Sequence, residues 1–92
     1  MVVSLHPAET NAGKGFNVQP DGNSAIAIAV RNLGAYPKVV IGDRVLDAAI
    51  APDKQFVTTI VPAQLYAKPG TLLVFVRDSN GESNRKEFNV RP

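Results

Sequence analysis

Seven glycines and seven prolines cut this chain of 92 residues into runs too short for a long helix. Between the cuts lie short stretches of alternating or β-branched residues. Their spacing predicts an all-β sandwich or barrel. The one stretch with helical character, Pro62 to Lys68, opens on proline and stops at Pro69-Gly70. It holds about two turns at most. A parallel sheet needs a longer crossover than that, so antiparallel pairing is expected.

The clearest strand is Ser24 to Asn32. Ile26, Ile28 and Val30 fall on one side, and Ala25, Ala27 and Ala29 on the other. The large set is expected to face the core. The alanines stand where an outward face normally carries polar residues. So small a surface admits close approach by another element, from this domain or from a second one. The remaining expected strands are Val2 to His6, Lys38 to Ile41, Arg44 to Leu46, Gln55 to Val61, Thr71 to Arg77 and Asn84 to Val90. Phe16 to Val18 is a further extended piece, which brings the count to seven or eight. Ala8 to Gly15 reads as a loop, and Asp47 to Ala51 as an extension or bulge of the strand before it. Asp78-Ser79-Asn80-Gly81 carries the Asn-Gly hairpin signal. Residues 1–92 have room for one domain. Because strands begin and stop at the very ends of the chain, it has the look of a domain from a longer protein.

The order of these features is informative. Ser4-Leu5-His6-Pro7 precedes the Gly-containing Asn11-Ala12-Gly13, and the strand from Ile26 runs to Gly34. Lys38-Val39-Val40-Ile41-Gly42 follows. Ile60-Val61-Pro62-Ala63-Gln64-Leu65 then leads through Lys68-Pro69-Gly70-Thr71 into Leu73-Val74-Phe75-Val76. Gly81, Ser83 and Phe88-Asn89-Val90 close the chain. This order resembles the IPT/TIG family over almost the whole chain, most specifically in the second half. The chain departs from it at Arg31-Asn32-Leu33-Gly34-Ala35-Tyr36, where the family usually has a Gly-x-Asn-Phe turn.

The resemblance implies an antiparallel immunoglobulin-like β-sandwich of about seven strands with one short helical turn. It implies a non-catalytic module, serving as spacer or protein–protein interaction domain of a larger bacterial surface or secreted protein. Its partners would be neighbouring domains of the parent chain or another protein, and its setting extracellular or at the cell surface. The alternative is an accessory carbohydrate-binding module of a polysaccharide-active enzyme. Ala25, Ala27, Ala29 and Tyr36 are the candidate interaction residues, Tyr36 because sugar rings stack on exposed aromatics.

Other chemistry finds little footing. Ten basic and eight acidic residues leave a net charge of 10 − 8 = +2, too small and scattered for nucleic acid. Zero cysteines exclude disulfides, thiolate metal sites and a cysteine nucleophile. His6 is the single histidine, expected as a solvated strand-end residue. Asp78 to Glu82 resembles part of a calcium loop, but the glutamate needed at position twelve is Asn89. Asp43 and Asp47 read as surface charges. Arg85 and Arg91 share strand parity without a basic loop to support them. Tyr66 is expected to pack the helical turn onto the sandwich. No cofactor is expected, and no stretch reaches the roughly 20 apolar residues of a membrane span.

Overall fold

The side-chain alternation of Ser24–Val30 orients the first sheet. Ile26, Ile28 and Val30 are buried, as their size predicts, and the opposite face of the strand looks outward. The computed structural model describes all 92 residues. In chain order the strands are β1 (Val2–His6), β2 (Glu9–Asn11), β3 (Ser24–Val30), β4 (Lys38–Ile41) and β5 (Arg44–Asp47). Then come β6 (Ala49–Ile50), β7 (Phe56–Val61), β8 (Gly70–Asp78), β9 (Gly81–Glu82) and β10 (Lys86–Arg91). One sheet has the order β1-β3-β7-β6. The other has β2-β10-β8-β4-β5, with β9 hairpinned onto β8. The strands follow the immunoglobulin arrangement, in which the first, second, fifth and fourth strands of the fold face its third, sixth and seventh. The molecule is an all-β sandwich.

The structure adds detail that the side-chain pattern did not carry. Ala8 to Gly15 is not all loop. Glu9–Asn11 forms β2 and pairs in parallel with Asn89–Arg91, the one parallel pairing of the fold. Glu-Thr-Asn has no apolar alternation, so the strand is held by backbone bonds and by the Arg91–Glu9 ion pair. Phe16 to Val18 is not a strand, and Asn17 takes a left-handed backbone there (φ 41°). Of Asp47 to Ala51, only Asp47 extends β5, and Ala49–Ile50 forms β6 in the other sheet. The chain crosses to the other sheet at Ala48, where Thr59 Oγ1 donates to the Asp47 carbonyl at 2.6 Å. The helical piece shortens to a single 3-10 turn, Ala63–Tyr66. The hairpin at Asn80-Gly81 forms as expected, with Asp78 paired to Gly81.

The core lies between the sheets. Leu5, Ile26, Ile28, Val57 and Val61 come from one side, and Val39, Ile41, Val74, Val76 and Phe88 from the other. Phe16 closes one end of it, its ring 5.1 Å from Tyr66 and 5.4 Å from Phe88, centroid to centroid. Ser24 is fully buried beside this trio. Its Oγ accepts the Phe16 N–H at 3.0 Å and hydrogen-bonds the Tyr66 hydroxyl at 2.9 Å. One serine thus fixes an irregular segment and the 3-10 turn to the central strand. At the other end Asn84 ties the sheets together. It accepts the Val2 N–H at 2.8 Å and donates to the Val2 carbonyl at 2.9 Å. Met1 meets Arg31 at that end of the strands, while Arg91 meets Ala12 at the opposite one.

Replacing Ser24 by Ala removes the partner of two buried groups. Each unpaired group costs about 1–3 kcal/mol, so Ser24→Ala is expected to lose roughly 2–3 kcal/mol in a denaturant titration. Tyr66→Phe should lose about 1 kcal/mol, and the double variant less than the sum. Strict additivity would contradict the shared network.

Candidate interaction surface

Three alanines in the middle of a sheet leave room above the strand that carries them. In register, Ala27 lies between His6 of β1 and Thr58 of β7. Ala29 lies between Ser4 and Phe56, and Ala25 is opposite Ile60. All of these face outward, because their neighbours in sequence fill the core. A methyl group cannot reach over its neighbours, so the longer flanking side chains fill the space. The His6 and Phe56 rings approach to 6.2 Å across β3, tilted by 59°. They half-bury Ala27 and Ala29. Ser4 Oγ and His6 Nε2 hydrogen-bond at 2.8 Å beside them.

The expected alanine trio therefore divides. Ala27 and Ala29 belong to the open face. Ala25 is buried, with the segment before β3 beside it. Its N–H donates to the Phe16 carbonyl at 3.3 Å, and its carbonyl accepts Asn17 Nδ2 at 3.2 Å. The open face is widened by residues not singled out from the sequence. Val3 is 38% exposed, Phe56 40% and Ile60 43%. Phe56, Thr58 and Ile60 alternate with the buried Val57, Thr59 and Val61, so strand parity within Gln55 to Val61 was the signal available. Two depressions lie at the ends of the alanine row. One of about 640 Å³ contacts Ala29 and Phe56, and one of about 390 Å³ contacts Ala25 and Ile60.

Tyr36 does not join this face. It stands on the loop between β3 and β4, beside Asp78 and Ser79. That loop is braced. Gly34 N–H donates to Asp78 Oδ2 at 2.9 Å, and Ala35 N–H to Ser79 Oγ at 2.8 Å. A Cβ on Gly34 would meet Ser79 Oγ at 2.7 Å and Asp78 Oδ1 at 2.8 Å, so a larger residue would displace the two side chains that brace the loop. The Tyr36 side chain is 91% exposed, yet its backbone is left-handed with φ 55°. The fold gains almost no burial from the ring at a conformation unfavourable for a bulky residue.

The remaining candidates are accounted for by ordinary contacts. His6 is exposed, and its hydrogen-bond partners are Ser4 through the ring and Asn17 through the carbonyl. Asp47 pairs with Lys38 at 2.6 Å, and that hydrogen bond holds its carboxyl below the usual range. Arg85 packs 4.1 Å above the Phe75 ring and binds Glu82 at 2.9 Å. Arg77 reaches Glu82 at 3.3 Å from the other side. No group of three or more His, Cys, Asp and Glu gathers to hold a metal ion. No helix is long and apolar enough to cross a membrane. No family model matches the chain, and no curated protein does.

Two expectations follow. Tyr36→Gly relieves a left-handed non-glycine position and should raise stability by about 1 kcal/mol in chemical denaturation. A loss would mean that the ring supports the loop. Glu82 titrates below the ordinary glutamate range, chiefly through its hydrogen bond to Arg85. Its contribution is therefore present above the unfolded-state pKa and fades as pH falls through the depressed folded value. Side-chain carboxyl NMR of Glu82 should show that low midpoint, and Arg85→Ala should move it upward.

Proposed function

We propose that this chain is a non-catalytic module, IPT/TIG-like, that serves as a protein-interaction and spacer domain of a larger protein. The observation that carries the reading is the outward face of the β1-β3-β7-β6 sheet. Ala27, Ala29, Val3, Phe56 and Ile60 place apolar surface where a solvated sheet carries polar side chains. Contiguous apolar surface of this kind marks contact sites on soluble proteins. Its partners would be a neighbouring domain of the same chain or another protein, at a cell surface or outside the cell. Support for the spacer role comes from the placement of Met1 and Arg91 at opposite ends of the strands. A polypeptide passing through the module would traverse it from end to end.

A second reading, an accessory carbohydrate-binding module, draws on the exposed Tyr36 ring alone. Under it, Tyr36→Ala abolishes saccharide-induced amide shifts without loss of stability. Absence of any shift with starch, chitin or cellulose oligosaccharides would dispose of it.

The primary reading has two tests. Ala27→Arg should fold as a monomer and change stability by no more than about 1 kcal/mol, since an arginine can lie across a free face with its head in water. Unfolding of that variant would make the face internal. An antibody raised against residues 1–92 should detect a polypeptide well above 9.8 kDa in the source cells. A band at that mass would overturn the module reading.

A further inference from the structure

A depression of about 640 Å³ opens where β3 ends and β7 begins. Its floor is apolar, made by Val3, Ala29 and Phe56. Its rim carries Arg31 and Lys54, with the amide side chains of Asn32 and Gln55, and no acidic residue lines it. The four ion pairs of the protein engage Lys38, Arg77, Arg85 and Arg91. Arg31 and Lys54 are therefore two cations on one rim without a carboxylate partner. The acid next to them in sequence, Asp53, accepts the Gln55 N–H at 3.0 Å and is tied into its own turn. Asn32 and Lys54 also take left-handed backbones, with φ 55° and 58°. Strained non-glycine positions of this kind cluster at ligand clamps.

We propose that this depression receives an acidic side chain from a peptide segment of a partner protein, with the apolar neighbours of that acid lying on the Phe56 and His6 rings that cover Ala29 and Ala27. The proposal rests on the interaction reading above and names the chemistry of the partner. Arginine takes a carboxylate through two parallel hydrogen bonds, and lysine adds a point charge. The His6 and Phe56 rings close over β3 above Ala27 and Ala29, and with Ile60 they make an apolar shelf beyond the depression. An extended chain can lie on such a shelf. A sugar fits less well, because the one ring at the depression is tilted against His6 and offers no open stacking platform.

The test is an amide-shift titration of the folded 92-residue chain with three probes. They are acetyl-Val-Glu-Leu-Glu-Val-amide, the same peptide with Gln for both Glu, and a trigalacturonate. The acidic peptide should give saturable shifts at Ala29 to Asn32 and Lys54 to Phe56. The Gln peptide should bind about fivefold more weakly, the scale of a partly exposed ion pair, and added salt should weaken the acidic one. Arg31→Ser with Lys54→Ser should abolish the difference between the peptides while keeping the fold, since both side chains are exposed. Equal shifts from both peptides, centred on Ala27 and Ile60, would overturn the anion site and leave the docking face standing. Response to trigalacturonate alone would overturn the peptide assignment. No shift from any probe would overturn the anion site and count against the face itself.

Discussion

The fold depends on one strand that is large on one side and small on the other. β3 is central in its sheet, so it pairs on both edges, and both of its faces have consequences. Inward, Ile26 and Ile28 are fully buried against the second sheet. Burying such side chains contributes about 1.5–3 kcal/mol each, which makes this face the reason the two sheets meet at all. A register slip of one residue would exchange isoleucines for alanines and empty the core, so pairing with β1 and β7 is fixed. Outward, the same fixed register places three small residues in a row. The open face is thus a consequence of the periodicity that builds the core.

The sequence was most legible where side chains alternate and least legible where the backbone carries the structure. β3, β4, β7 and β8 follow from their apolar spacing, and the β8–β9 hairpin from Asn80-Gly81. β2 does not, because Glu9, Thr10 and Asn11 contribute no hydrophobic face. It exists because the chain leaves the first sheet after Pro7 and finds the free edge of β10. Phe16 was legible as an apolar residue but not as an anchor. Its place depends on Ser24 and Tyr66, which are distant in sequence and meet only after the sheets close. The sheet change at Ala48 is also long-range in origin, because Thr59 on β7 captures the Asp47 carbonyl.

The candidate surface shows the same division. The parity of Ala27 and Ala29 was evident from sequence. The partners that turn a row of methyl groups into a surface were not, because Phe56 and His6 meet the alanines through pairing between strands. Tyr36 was the opposite case. Its exposure is what a turn residue suggests, but it sits on the loop that enters β4 of the other sheet, beside Asp78 and Ser79, which brace Gly34 and Ala35. Grouping it with the alanines would need a partner that wraps from one sheet to the other around the loops.

An apolar face alone gives a module little selectivity, since hydrophobic contact is non-directional and scales with area. Charges supply direction, because a desolvated charge without its complement is costly and wrong partners are rejected by it. On this molecule four of the ten Lys and Arg side chains are already answered. Lys38, Arg77, Arg85 and Arg91 each have a carboxylate within the domain. Of the six unanswered ones, Arg31 and Lys54 come together at one end of the apolar row. That asymmetry gives the face a polarity along β3. A partner must bring its acid to the end where β7 begins, and its apolar residues must then run toward Ala27. Affinity would come from the row, and orientation from the charged end.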